Sequence, residues 1–156
     1  LDILVDINGK KTNLNIWDTA GQFQFRNLMP IYLRDSCVVV ICFSVDLPES
    51  FDSISGWNEL ITDAAPENAV KLIVCNKIDL EKEPMQKNVL TQLQSQASQV
   101  FHTSAVTGQG IDSIFEYIKN DENIPRDSTF VPQKRKPKDE IPINTESNDK
   151  SQSTCC

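Results

Sequence analysis

An open, mostly parallel α/β sheet with an antiparallel edge hairpin is the fold class this sequence predicts. Three observations carry that expectation. Asn8-Gly9 separates two aliphatic stretches, residues 1–7 and 12–17, the second of which alternates in polarity, the signal of a tight hairpin. Two later runs, 37–45 and 70–75, are nearly all apolar, as in parallel strands covered on both faces. Apolar residues at helical spacing follow the first of them and recur near the end of the domain, so strands and helices alternate after the hairpin.

The elements follow in chain order. Residues 22–34 read as an irregular segment with a short helix broken near Pro30. Pro48-Glu49-Ser50 opens a helix whose apolar positions Phe51, Ile54, Trp57, Leu60 and Ile61 recur at helical spacing. Residues 85–97 form a weaker, Gln-rich helix, and 100–103 a short strand. Ile111, Ile114, Phe115 and Ile118 stripe a last helix. From Asp121 onward Pro, Lys, Asp, Ser and Asn dominate and periodicity ends. Two regions are therefore expected: a folded domain over 1–120 and a flexible tail over 121–156.

A chain of 156 residues is one domain with room for a real core. Its net charge of −7 argues against broad attraction to nucleic acid, so no nucleic-acid partner is expected. Of the five cysteines, Cys37, Cys42 and Cys75 sit inside apolar runs and read as small buried hydrophobes. The odd count and irregular spacing argue against a disulfide framework or a zinc site, and point to a reducing, cytosolic compartment. No apolar run approaches the ~18 residues that span a bilayer. The chain opens on Leu1 inside a strand pattern, which predicts a fragment or an incomplete gene model.

Three motifs carry chemistry. Trp17-Asp18-Thr19-Ala20-Gly21-Gln22 stands directly behind the second hairpin strand. An aspartate there can hold Mg²⁺ through a water. A glycine lets a backbone N–H approach a terminal phosphate without a Cβ in the way. A glutamine can orient an attacking water, and phosphoryl transfer needs charge stabilisation and positioning more than covalent chemistry. The plainer alternative is a strand followed by a tight Asp-Thr-Ala-Gly turn. Asn76-Lys77-Ile78-Asp79 follows the apolar run Leu72-Ile73-Val74-Cys75. Its carboxylate can accept both the ring N–H and the exocyclic amine of guanine, whereas adenine would leave a polar group unpaired. The lysine stem would cover the base and the asparagine would tie loops together; the alternative is a polar loop at a strand end. In Thr103-Ser104-Ala105, which follows a short strand, Ser104-Ala105 would present backbone N–H groups to a guanine oxygen, with backbone the expected contact at Val106 as well, or the stretch is a simple Ser-rich turn. Together the three lie in order at strand C-terminal ends, where open α/β sheets gather ligands.

In this order the motifs resemble those of Rab-type small GTPases, a branch of the Ras superfamily. The resemblance covers nearly all of residues 1–120. Phe25-Arg26-Asn27-Leu28-Met29-Pro30-Ile31-Tyr32-Leu33-Arg34-Asp35-Ser36 resembles the second switch, with most similarity to the Golgi-associated branch. Thr107-Gly108-Gln109-Gly110-Ile111 and Phe115 resemble the approach to the last helix. Phe23 and Gln24 stand where Rabs usually carry an acidic and a basic residue, and Val106 stands where lysine is usual. The terminal Cys155-Cys156 resembles a double-geranylgeranylation signal. Two long chains, at roughly 0.8 kcal/mol per buried CH₂, anchor stably where one anchors weakly. Ile141-Pro142-Ile143 resembles the aliphatic pair that Rab tails offer to the escort protein. The cluster Lys134-Arg135-Lys136-Pro137-Lys138 reads either as attraction to anionic lipid or as a solvated charge run.

The resemblance implies a P-loop NTPase-like small GTPase fold that lacks its first strand and first helix. It implies GTP and GDP as ligands with Mg²⁺, Gln22 as the catalytic residue, and Asp18 serving the metal through a water. Asp18, Thr19, Ala20, Gly21 and Gln22 would face the phosphates. Asn76, Lys77, Asp79, Ser104, Ala105 and Val106 would face guanine, and Cys155 and Cys156 would carry the lipids. The implied partners are an exchange factor, a GTPase-activating protein, effectors, Rab escort protein, GDP-dissociation inhibitor and a membrane. The implied location is the cytoplasmic face of endomembranes, Golgi or vesicles, in exchange with cytosol, with a role in vesicle traffic. One part has no counterpart here. A phosphate loop reads Gly-x-x-x-x-Gly-Lys-Ser/Thr, and none of the five glycines, Gly9, Gly21, Gly56, Gly108 and Gly110, fits it. A gap in the sheet, an uncovered apolar face and weak nucleotide binding are expected. A second reading is a non-catalytic, prenylated Rab-like binding module.

Overall fold

The computed structural model describes residues 1–7, 9–81 and 85–126. Asn8, the basic cluster, Ile141-Pro142-Ile143 and Cys155-Cys156 lie outside the described residues.

The hairpin pairs β1 (Asp2–Ile7) with β2 (Lys10–Asn15) antiparallel, from Ile7↔Lys10 to Asp2↔Asn15. Gly9 makes the turn at φ +79°, and its N–H donates to the Asp6 carboxylate at 2.8 Å. The tight turn draws Lys10 and Lys11 into the ladder, so β2 begins earlier than its apolar alternation suggests. Ile3, Val5 and Ile7 share one half-buried face, as the two-residue period requires.

The second sheet is parallel, in the order β3–β4–β5, built from Val38–Ser44, Val70–Asn76 and Gln99–His102. Its faces bury different clusters, because successive residues of β4 point to opposite sides. Ile73 and Cys75 join Ile41, Phe43, Ile54, Ile61 and Leu93 on one face. Val70, Leu72 and Val74 join Phe101 and Ile124 on the other. The first face is covered by α2 (Pro48–Asp52), α3 (Ile54–Ala64) and α4 (Lys87–Gln94), the second by α5 (Ile111–Asn120). The packed structure extends beyond Asn120: Ile124 is buried, and Arg126 donates to the carbonyls of Ile118 and Asp121.

Two local expectations need correcting. Pro30 does not break a helix. It sits in the first turn of α1 (Met29–Leu33), where its missing N–H costs nothing. The single helix expected from Pro48 is divided at Ser53, whose hydroxyl donates back to the Glu49 carbonyl at 2.8 Å, a bond that bends helices.

The larger correction concerns β3. Val39, Ile41 and Phe43 pack inward, but Val40 is 41% exposed and Cys42 is exposed as well. On this face of β3 only Val38 packs against the second cluster, so the strand is not covered on both sides and Cys42 is not a buried hydrophobe. Strand β3 also pairs with β4 alone, and the two sheets share no ladder among the described residues. A free apolar edge beside an uncovered apolar face is a template for association. Val40→Lys is expected to raise the concentration at which the chain aggregates, read by light scattering, and to leave its far-UV circular dichroism unchanged.

Candidate functional site

The parallel register sets Cys75 opposite His102, so the ends of β4 and β5 deliver Asn76 and Thr103 side by side. Thr103 and Ser104 are completely buried. The Asn76 side-chain oxygen accepts from the Thr103 hydroxyl at 3.2 Å and from the Ala105 N–H at 3.1 Å. Backbone bonds reinforce the joint: Ile78 N–H donates to the Thr103 carbonyl at 3.1 Å, and Thr103 N–H to the Cys75 carbonyl at 2.8 Å. The sequence identified Asn76 as a loop tie; Thr103 is the partner it did not assign.

Lys77 follows in the left-handed region, at φ 63° and ψ 36°. A non-glycine residue held there costs of order 1–3 kcal/mol and marks a position the surroundings over-determine. Its ammonium pairs with Asp46 at 3.3 Å. Asp46 also accepts from the Ser44 hydroxyl, which holds its carboxyl below the usual range; desolvation opposes this and Lys77 assists it. Asp46 was missed in the sequence because only the β3–β4 register brings it to Lys77. Asp79 lies in the short 3₁₀ turn Ile78–Leu80, exposed and without a hydrogen-bond partner among the described residues.

The loop after β5 is closed by its own amides. Ser104 N–H donates to the Gln109 carbonyl at 3.0 Å, Gly108 N–H to the Ser104 carbonyl at 2.8 Å, and Thr107 N–H to the Ser104 hydroxyl at 3.2 Å. Gly110 stands at φ +73°, and a Cβ there would meet the His102 carbonyl oxygen at 2.2 Å, so only glycine fits. The Ser104 and Ala105 amides are thus engaged within the protein, while that of Val106, 86% exposed, has no partner among the described residues.

The segment after β2 is more open. Trp17, Asp18, Thr19, Ala20, Gly21 and Gln22 are all exposed, and Trp17 touches Tyr32 with ring centroids 5.5 Å apart. Asp18 lies near enough to Cys42 that its charge adds to the effect of local desolvation in raising the thiol's pKa. Cys42 pairs in register with Val74, two positions before Asn76. The Gln22 side-chain oxygen accepts from Gln24 at 3.1 Å.

The family model described as "Ras family" matches residues 2–123. The chain belongs to the Ras family. Its relatives are of the Rab type. It is 35% identical over 109 residues to "Ras-related protein Rab-5B" of Plasmodium falciparum, covering 70% of this chain and 53% of that protein. It is 39% identical over 116 residues to "Ras-related protein Rab-21" of Mus musculus, covering 71% of this chain and 51% of the relative. Against "Ras-related protein Rab-13" of Bos taurus it is 32% identical over 119 residues, 75% of this chain and 59% of the relative. The chain spans about half the length of the curated relatives it matches. Its parallel sheet with an antiparallel hairpin agrees with a part of the small GTPase fold.

In this Rab-type chain, Asn76→Ala strands the Thr103 hydroxyl and the Ala105 N–H together. Unfolding in urea is expected to show a loss of about 1–3 kcal/mol. Gly110→Ala is expected to cost at least as much, since it adds a backbone clash to a left-handed φ.

Proposed function

We propose that this chain is part of a nucleotide-gated Rab switch, and that its loops after β4 and β5 form the guanine-recognition half of the site. The observation that supports this most is the Asn76 joint, which sets the free Asp79 carboxylate and the Val106 amide on two loops tied to each other. Asp79 would accept the ring N–H and the exocyclic amine of guanine, the Lys77 stem would lie along the base, and Val106 N–H would donate to its oxygen, with Ser104 and Ala105 shaping the loop. Asp18, Thr19, Ala20, Gly21 and Gln22 would face the phosphates of GTP or GDP. Asp18 would hold Mg²⁺ through a water. A single carboxylate binds Mg²⁺ weakly, so the metal would arrive with the nucleotide phosphates. Gln22 would orient the attacking water once its amide is free of Gln24. In a full-length form the second switch would order on the terminal phosphate and recruit effectors, with an exchange factor and a GTPase-activating protein setting its state. Cys155 and Cys156 would carry two prenyl chains and engage Rab escort protein and GDP-dissociation inhibitor. That would place the protein on the cytoplasmic face of Golgi or vesicle membranes, in exchange with cytosol. The tail that follows Arg126 would act as its tether. The retained Gln22 and Asp79 weigh against a non-catalytic binding module, which has no physical need for either.

Guanine contacts alone, about two charged hydrogen bonds at about 1.5–3 kcal/mol each, leave roughly millimolar affinity after association costs. The 156-residue chain is therefore expected not to bind a fluorescent guanine nucleotide tightly. Micromolar or tighter binding would contradict the reading. In the full-length form Gln22→Leu is expected to slow single-turnover GTP hydrolysis, and an unchanged rate would remove Gln22 from the mechanism.

A further inference from the structure

Helix α3 carries a glycine in its interior, Gly56, beside Trp57. A glycine there weakens a helix without contributing any packing of its own. What it leaves open is occupied. The Arg26 guanidinium carbon lies 4.7 Å from the centroid of the Trp57 ring, and a Cβ on residue 56 would meet Arg26 Nη1 at 3.3 Å and Nη2 at 3.5 Å. The planar cation thus lies over the indole and against the bare helix backbone at once. A side chain longer than alanine at position 56 would fill the space the guanidinium occupies. Arg26 belongs to the 3₁₀ segment Phe23–Leu28, which begins directly after Gln22. Its Phe25 N–H donates to the Gln22 carbonyl at 3.0 Å, and its own residues Phe25 and Leu28 are exposed.

We infer that Arg26 is a positioning residue: stacked on Trp57 in the berth opened by Gly56, it latches the segment behind Gln22 to helix α3 and so limits where the Gln22 amide can point. The consequence for hydrolysis rests on the role proposed above for Gln22, whereas the latch itself does not. The pairing is specific in chemistry. Arginine presents a flat, weakly hydrated cation to an aromatic face, and neither lysine nor glutamine reproduces that stack.

Hydrogen exchange on the purified chain separates the latch from a general structural role. Arg26→Gln and Gly56→Gln are both expected to speed exchange at the Phe25 and Met29 amides by roughly tenfold, within the two- to thirtyfold span such stacks carry. Exchange in β4 and α5 should stay unchanged. Gly56→Gln should melt no earlier than the parent, because glutamine favours a helix more than glycine does; a merely structural glycine predicts the opposite. Unchanged exchange in both variants overturns the latch, as does a segment already unprotected in the parent chain. In the full-length form, Arg26→Gln should lower single-turnover GTP hydrolysis severalfold with nucleotide affinity kept. If exchange quickens and hydrolysis does not change while Gln22→Leu slows it, Arg26 does not position Gln22. If Gln22→Leu is itself without effect, the assigned role of Gln22 fails and the latch stands.

Discussion

Asn76 closes β4 with a side-chain oxygen that accepts from both the Thr103 hydroxyl and the Ala105 amide, and the rest of the site is placed relative to that joint. Both bonds need β4 and β5 to be parallel and in the register that sets Cys75 opposite His102. That register follows from burial: a slip of one residue would turn Leu72 and Val74 toward the wrong cluster and expose an apolar face on each side. Packing energy spread over the two clusters thus fixes the position of one polar group, and the polar group fixes two loops. Lys77, in a left-handed conformation and paired with Asp46, extends the same chain of constraint across to β3.

The structure is unevenly stable by construction. Strand β4 is buried on both faces and is the spine of the molecule. Strand β3 is half a core strand: Ile41 and Phe43 are buried, while Val40 and Cys42 face outward. Among the described residues, the hairpin contributes none to either cluster of buried residues. The loops after β4 and β5 therefore stand on the firm part of the fold, and the segment from Trp17 to Leu28 hangs between the firm part and the hairpin. Elements with few buried contacts open at the lowest free energy, so this segment is the part of the fold expected to exchange first.

Much of this was legible in the sequence because the apolar runs and the two periodicities are strong. The strands β3, β4 and β5, the helices α3 and α5, and the hairpin are all where apolar spacing put them, to within a few residues. Local chemistry accounts for most misses. Pro30 reads as a breaker in isolation, yet as a helix opener once the preceding 3₁₀ turn is known. Ser53 divides a helix by a bond to Glu49 that spacing cannot reveal. Other misses are non-local. The exposure of Cys42, the Lys77–Asp46 pair and the Thr103 partner of Asn76 depend on which strands lie adjacent and what covers them. The engagement of the Ser104 and Ala105 amides within the protein was not readable, because one depends on the loop closing back to the Gln109 carbonyl and the other on the Asn76 side chain across the strand register.

The central claim is that loops from separate strand ends act on one nucleotide. Amide resonances followed while GTP with Mg²⁺ is added to the isotopically labelled chain test it directly. The account predicts that Asp79, Val106 and Gly21 shift along one common weak isotherm and that ATP leaves them unmoved. Shifts along different isotherms, or an equal response to ATP, would contradict it.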